Sequence, residues 1–309
     1  MGGVSPDLAC AVSAAGGLGM LALWRANETA LRETIRYVKT RTDRPFGINL
    51  NMNWPQDERL EVCLEEEVPV VSFFWGDPGP LMHRASKGGA IVLHSSASAD
   101  EARRMVDRGA DVIIAQGWEA GGHVRGTVAT MPLIPAVVDA IAPVPVVAAG
   151  GIADGRGLAA ALALGAAGVW IGTRFLASPE AGIHPRYREL LLQSPETSTH
   201  YSENLFDIGW PNAPHRALRN KTVDAWEAAG RPGSGKRPGE GEVVASSPRH
   251  GNIVRYQSST PGEDTEGDIE ALSLWSGQSV GLVSTVKPAA EILQEIVTDA
   301  KTALRKAAQ

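Results

Sequence analysis

Seven short apolar, β-branched runs, at positions 18–23, 46–50, 69–74, 90–94, 111–116, 144–149 and 168–172, constrain this chain more than any other feature. Their near-continuous apolar character reads as strands covered on both faces. Between them lie segments with helical spacing, 28–40, 56–66, 99–108, 133–141 and 157–164, several entered through helix-capping residues such as Asn27 and Asp154. Repeated strand–helix units imply a parallel sheet, because each crossover returns the chain to the same edge. The regular rhythm, without a switch point, favours a (β/α)8 TIM barrel over a doubly wound sheet, and 309 residues suit one such domain.

Closure takes eight strands. The chain opens directly on the loop Gly2-Gly3-Val4-Ser5, followed by an expected helix over 6–15, so the first strand is missing from the N-terminus. A start site placed too far downstream is the favoured account; another segment in the gap, or a barrel open on one side, are the alternatives. The expected organisation is a β/α barrel over 1–194, an irregular excursion over or beside it at 195–285, and a closing helix at 286–309 with Ile292, Ile296 and Ala300 on one face. Within the excursion, 231–241 reads as a flexible loop rich in Gly, Pro and charge.

Charge narrows the partners. A formal net charge of −6 gives no broad attraction to nucleic acid or anionic membrane. The longest apolar stretch, 158–173, is broken by Gly165 and Gly168 and falls short of the roughly 20 residues of a membrane span. No secretory signal opens the chain, so a cytoplasmic protein is expected. Cys10 and Cys63, the only cysteines, form neither a CxxC nor a Cys/His cluster, which implies no disulfide framework and no metal site. A small-molecule site is therefore expected, with self-association or covering of the barrel mouth as roles for the excursion.

In a barrel, chemistry gathers at the strand ends. Gly150-Gly151-Ile152-Ala153-Asp154-Gly155-Arg156-Gly157 follows the sixth run, and Gly172-Thr173-Arg174-Phe175 ends the seventh. Such turns form a phosphate cradle when backbone N–H groups approach the oxygens and helix N-termini add partial positive charge. The alternative is that the glycines only permit tight turns. After the fifth run comes Gln116-Gly117-Trp118-Glu119-Ala120-Gly121-Gly122-His123. A histidine behind two glycines, with an ordinary pKa near 6.5, suits proton transfer at a mouth; a structural histidine bonding a carbonyl is the rival. Glu119 carries no catalytic role, His94 weighs less than His123, Trp75 and Trp118 are candidates for stacking, and His184, His200, His215 and His250 lack metal-type spacing.

These three segments resemble the signature segments of the nitronate monooxygenase family, formerly the 2-nitropropane dioxygenases. Met1 to Gly19 resembles that family's first loop and helix, and Trp275-Ser276-Gly277-Gln278-Ser279-Val280-Gly281 the segment before its last helix. The resemblance implies a TIM barrel carrying noncovalent FMN. It implies that Gly150, Gly151, Gly172 and Thr173 hold the phosphate, that Gln116 and Asn49 contact the isoalloxazine or ribityl part, and that Gly121 and Gly122 belong with the cofactor contacts. His123 matches the histidine near the flavin, as the catalytic residue. The end of the family's first strand lines the flavin; here only Met1 and Gly2 of that region are present. The implied reaction is oxidation of an alkyl nitronate by O2 to a carbonyl compound and nitrite.

Flavin-dependent enoyl-acyl carrier protein reductases share the AGGH and GGIADG segments, so an NAD(P)H-dependent reductase is the nearest rival. A non-redox phosphate-binding barrel and a noncatalytic flavin binder are further alternatives. A catalytic cysteine is disfavoured, because Cys10 and Cys63 fall in expected helices.

Overall fold

A strand forms at each of the seven apolar runs in the computed structural model, which describes residues 5–23 and 25–309; the strands at 46–50 and 90–94 extend one and two residues past the expected ends. The expected opening residues Gly2, Gly3 and Val4 lie outside the described residues. The strands are β1 (Gly19–Ala22), β2 (Phe46–Asn51), β3 (Val70–Phe74), β4 (Ile91–Ser96), β5 (Val112–Gln116), a two-residue β6 (Gly122–His123), β7 (Val146–Ala149) and β8 (Gly168–Trp170). All but β6 join one sheet, in the order β1-β2-β3-β4-β5-β7-β8, and every pairing is parallel.

Alternation along the strands sorts the side chains into two cores. Leu21, Ile48, Val71, Val92 and Ile113 face the helices and belong to the largest apolar cluster. Val70, Leu93, Ile114 and Ala149 face the interior of the curled sheet and pack with Trp170. Both faces are therefore dry, which is why the runs look continuous in sequence. The helix Glu28–Arg41 shows the complementary pattern: Leu31, Ile35 and Val38 are buried, and the Asn27 side chain accepts the Ala30 N–H at 2.9 Å.

Closure differs from the expected eight strands. Among the described residues β1 and β8 are the outer strands and do not pair, so the sheet is a curled half-barrel of seven. The helix Ala289–Ala307 lies along this open side. Its Leu293 Cδ1 comes within 2.6 Å of where a Cβ on Gly17 would sit, and its Ala300 N–H crowds Gly155 on the helix Gly155–Ala163. Ile292, Ile296 and Ala300 are its buried face, as expected.

The stretch beyond the barrel rhythm is more ordered than its composition implies. It contains the helices Pro185–Gln193 and Lys221–Ala228, strands β9 (Thr199–Ser202) and β10 (His215–Leu218), and a second small sheet of β11 (Val243–Ser247), β12 (Gly251–Val254) and β13 (Glu266–Gly267). β10 pairs antiparallel with β6, placing His215 opposite His123. The segment 231–241 has no regular structure, yet Arg237 anchors it: the buried guanidinium donates to Leu205 O at 2.9 Å and Asp207 Oδ1 at 2.7 Å.

Packing also neutralises two histidines. His215 donates from Nδ1 to Ala213 O at 2.8 Å and accepts the Phe206 N–H at Nε2, so its neutral form is fully hydrogen-bonded. Burial pushes His215 and His94 down to about 4. The unfolded chain binds these protons as pH falls through about 6.5, whereas the folded chain resists until about 4. The stabilisation is thus complete above pH 6.5 and lost below it, on the order of 3 kcal/mol per histidine by pH 4. Melting temperature is expected to fall steadily from pH 6.5 to 4.5; a flat profile there would contradict the assignment.

Candidate active site

The turns after β5, β7 and β8 open into one cavity of about 500 Å³, within the range of small-molecule sites. Gln116, Gly121, Gly122, Gly150, Gly151, Gly172 and Thr173 all line it, together with Trp170, Trp275 and apolar residues of the helix Pro6–Ala14 and the C-terminal helix. Seven of the nine residues singled out from sequence therefore meet around one space. Asn49 and His123 do not form its wall.

The glycine turns differ in what they require. Gly150 and Gly151 have φ of +100° and +70°, a left-handed path that favours glycine regardless of any ligand. Gly172 has φ −107°, and a Cβ there would meet nothing within 4 Å. Its missing side chain leaves the main chain bare toward the cavity. Thr173 Oγ1 accepts the Gly277 N–H at 3.0 Å, which ties this turn to the segment before the last helix. One expectation is corrected: the helix Gly155–Ala163 offers no free N-terminus, because the Asp154 carboxylate accepts from Arg156 N at 3.0 Å and Gly157 N at 3.1 Å.

The loop after β5 is riveted in place. A Cβ on Gly117 would collide with Thr130, and one on Gly121 with the Ser276–Gly277 backbone. These glycines serve close approach, a role invisible in sequence. Glu119 Oε2 accepts from both N (2.8 Å) and Oγ1 (2.9 Å) of Thr130, capping the helix Thr130–Ile141, whose own cap Ala129 has no acceptor side chain. Thr130 Oγ1 also reaches Gly150 O at 3.0 Å, linking the two mouth loops. Gln116 Nε2 donates to His123 O at 3.1 Å.

His123 lies just past the wall residue Gly122 and turns into an aromatic cluster. Its ring stacks on Trp210 at 3.7 Å between centroids, with Trp275 at 5.1 Å, His215 at 5.8 Å and Trp75 at 6.0 Å. Trp275 and Phe74 belong both to this cluster and to the cavity wall. His123 Nε2 is buried without a protein partner. Burial, reinforced by His215, holds the imidazole well below its ordinary value, so the expected titration near 6.5 does not apply and the ring is neutral. Trp75 has φ +64°, a strained backbone for a bulky residue.

The remaining candidates sort by face. His94 shares the helix-facing side of the sheet with its partners Phe73 and Ile113, so it does not look into the mouth. Trp118 lies beneath the buried Arg216, whose Cζ is 4.4 Å from its ring centre, and its ring also meets Tyr201 at 5.4 Å between centroids. No group of His, Cys, Asp or Glu among the described residues is placed to hold a metal. Cys10 and Cys63 are free and buried, and burial pushes Cys63 up to about 12. No helix among the described residues is long and apolar enough to cross a membrane. Sequence reasoning missed Trp210 and the placement of His215, since neither carries a local signal within the excursion.

Comparison with known proteins adds the context. The family model described as nitronate monooxygenase matches residues 1–58 and 51–299. The chain is 35% identical to the (3aS,4S,5R,7aS)-5-hydroxy-7a-methyl-1-oxo-octahydro-1H-indene-4-carboxyl-CoA dehydrogenase of Mycobacterium tuberculosis, over 97% of this chain and 90% of that protein. The structure of FabK from Thermotoga maritima superposes with TM-score 0.81 at 34% identity, covering 99% of this chain and 91% of that one. A nitroalkane oxidase from Streptomyces ansochromogenes gives TM-score 0.80 at 28% identity, over 100% and 95% of the two chains.

Proposed function

The chain belongs to the nitronate monooxygenase family of flavin oxidoreductases, and from that premise we propose that it binds FMN in the cavity and oxidises an alkyl nitronate with O2 to a carbonyl compound and nitrite. The observation that carries this reading is the convergence of three mouth loops on one cavity, with bare main chain at Gly172. The residues fit such a group. Main-chain amides of Gly150, Gly151, Gly172 and Thr173 would hold a phosphate dianion. Gln116 and Asn49 would take the ring or ribityl chain; both atoms of the Asn49 amide are buried without a protein partner. Gly121 and Gly122 line this space immediately before His123 in the chain.

In this reading the curled sheet acts as a (β/α)8 barrel, residues 195–285 cover its mouth through the β6–β10 pairing, and 286–309 close it. Bound FMN would supply the electron-accepting chemistry. The protein's share is placement and proton handling. The Trp75, Trp210 and Trp275 rings exclude water around His123 and fix its plane. Because the imidazole is neutral, His123 Nε2 exchanges a hydrogen-bonded proton with substrate and does not act as a cation against the anionic nitronate.

That neutrality yields a pH prediction. A group held well below its ordinary value stays deprotonated from pH 8 down to 6, so kcat/KM for a nitronate is expected to show no His123 ionisation near 6.5 in that interval. A step near 6.5 that disappears in His123→Gln would overturn the role given to burial.

A second reading, redox chemistry on an acyl thioester at the same flavin, is supported by the similarity to the CoA dehydrogenase and to FabK. Anaerobic mixing separates the two. Bleaching of the flavin by propionate 3-nitronate, with nitrite released on admitting oxygen, supports the first; bleaching by NADH or NADPH alone, with turnover of an enoyl or acyl thioester, supports the second.

A further inference from the structure

Among the polar atoms inside the curled sheet that lack any protein partner are Oδ1 and Nδ2 of Asn49 and Oγ of Ser72. Both residues are fully buried. Strand register places them together, since Asn49 pairs with Ser72 across β2 and β3, and Ser72 with Leu93 across β3 and β4. In a parallel ladder paired residues point to the same face. That face is the interior, because Leu93 lines the cavity, as does Phe74, two residues beyond Ser72 on the same strand. The row on either side of it, Ile48–Val71–Val92 below and Leu50–Phe73 above, points outward into the helix-facing core.

A partnerless buried hydroxyl is costly, and native structures retain one where a further group satisfies it. Alanine or valine would fill this strand position without that cost. Together the two side chains offer donors and acceptors side by side, which suits a planar edge alternating carbonyl oxygen and N–H. We propose that Ser72 is a second polar contact to the flavin beside Asn49, reading the hydrogen-bonding edge of its ring system. This rests on the FMN reading above and extends it to a residue that neither sequence motif nor mouth loop marks.

The test is Ser72→Ala, compared with wild type as apoprotein and after reconstitution with FMN. Removing an unsatisfied hydroxyl is expected to leave the apoprotein melting temperature unchanged or raised. The FMN Kd is expected to rise roughly 2- to 10-fold, the effect of one neutral hydrogen bond, with a shift in the visible absorption of the bound flavin. Ser72→Cys, which keeps a weak donor, is expected to fall between the two. A lower apoprotein melting temperature would mean that water or protein already satisfies the hydroxyl and would overturn the proposal; unchanged Kd and spectrum would overturn it equally. Failure of wild type itself to bind FMN would instead remove the parent reading.

Discussion

Replacing His123 with alanine is expected to lower kcat/KM by roughly 10²- to 10⁴-fold, the usual scale for loss of a proton-handling group, while the protein keeps its flavin. The separation of the two effects follows from where the ring sits. The seven cavity-lining candidates, from Gln116 to Thr173, form the space in which the cofactor is proposed to bind, whereas the imidazole lies outside that wall against Trp210, 3.7 Å away. Truncation therefore leaves the proposed flavin contacts untouched. It does open a void against Trp210, so a modest fall in melting temperature is expected as well. His123→Gln, which fills more of that void, should recover stability without recovering rate. Undiminished turnover in His123→Ala, or a loss of turnover that merely tracks lost flavin, would remove His123 from the chemistry.

Gly172→Val is expected to abolish tight FMN binding while sparing the fold. Its φ of −107° is open to any residue, and a Cβ meets nothing within 4 Å, so the turn itself does not demand glycine. The added side chain would instead occupy the space next to the bare amides. Losing two charge-assisted hydrogen bonds to a phosphate, each about 1.5–3 kcal/mol, raises Kd by at least about 100-fold. Gly150→Ala is the contrasting variant. Its φ of +100°, with Gly117 O only 2.9 Å from the new Cβ, should lower the apoprotein melting temperature directly. Wild-type FMN affinity in Gly172→Val would remove Gly172 from the phosphate contacts.

Much of the barrel was legible because its determinants are local. The seven apolar runs are continuous where both sheet faces are dry, Asn27 and Asp154 cap the helices they precede, and the buried face of the last helix repeats at helical spacing. The site was legible only where strand ends carry glycine. What escaped depends on contacts between distant segments. A two-residue strand such as β6 has no pattern of its own and exists only because β10 pairs with it, bringing His215 and Trp210 to His123. The packing role of Gly117 and Gly121 needs Thr130 and Ser276 in place. The neutrality of His123 likewise comes from its surroundings, not from its neighbours in sequence. Ser72, an ordinary residue in an apolar run, gains interest only when the register sets it beside Asn49.

Titration of the apoprotein with FMN and, in parallel, with riboflavin tests the central claim most directly, because the two ligands differ only in the phosphate. Saturation at one FMN per chain, with riboflavin bound at least about 100-fold more weakly, is the result that a main-chain phosphate cradle predicts. Equal affinity for the two ligands, or no saturable binding of either, would contradict it.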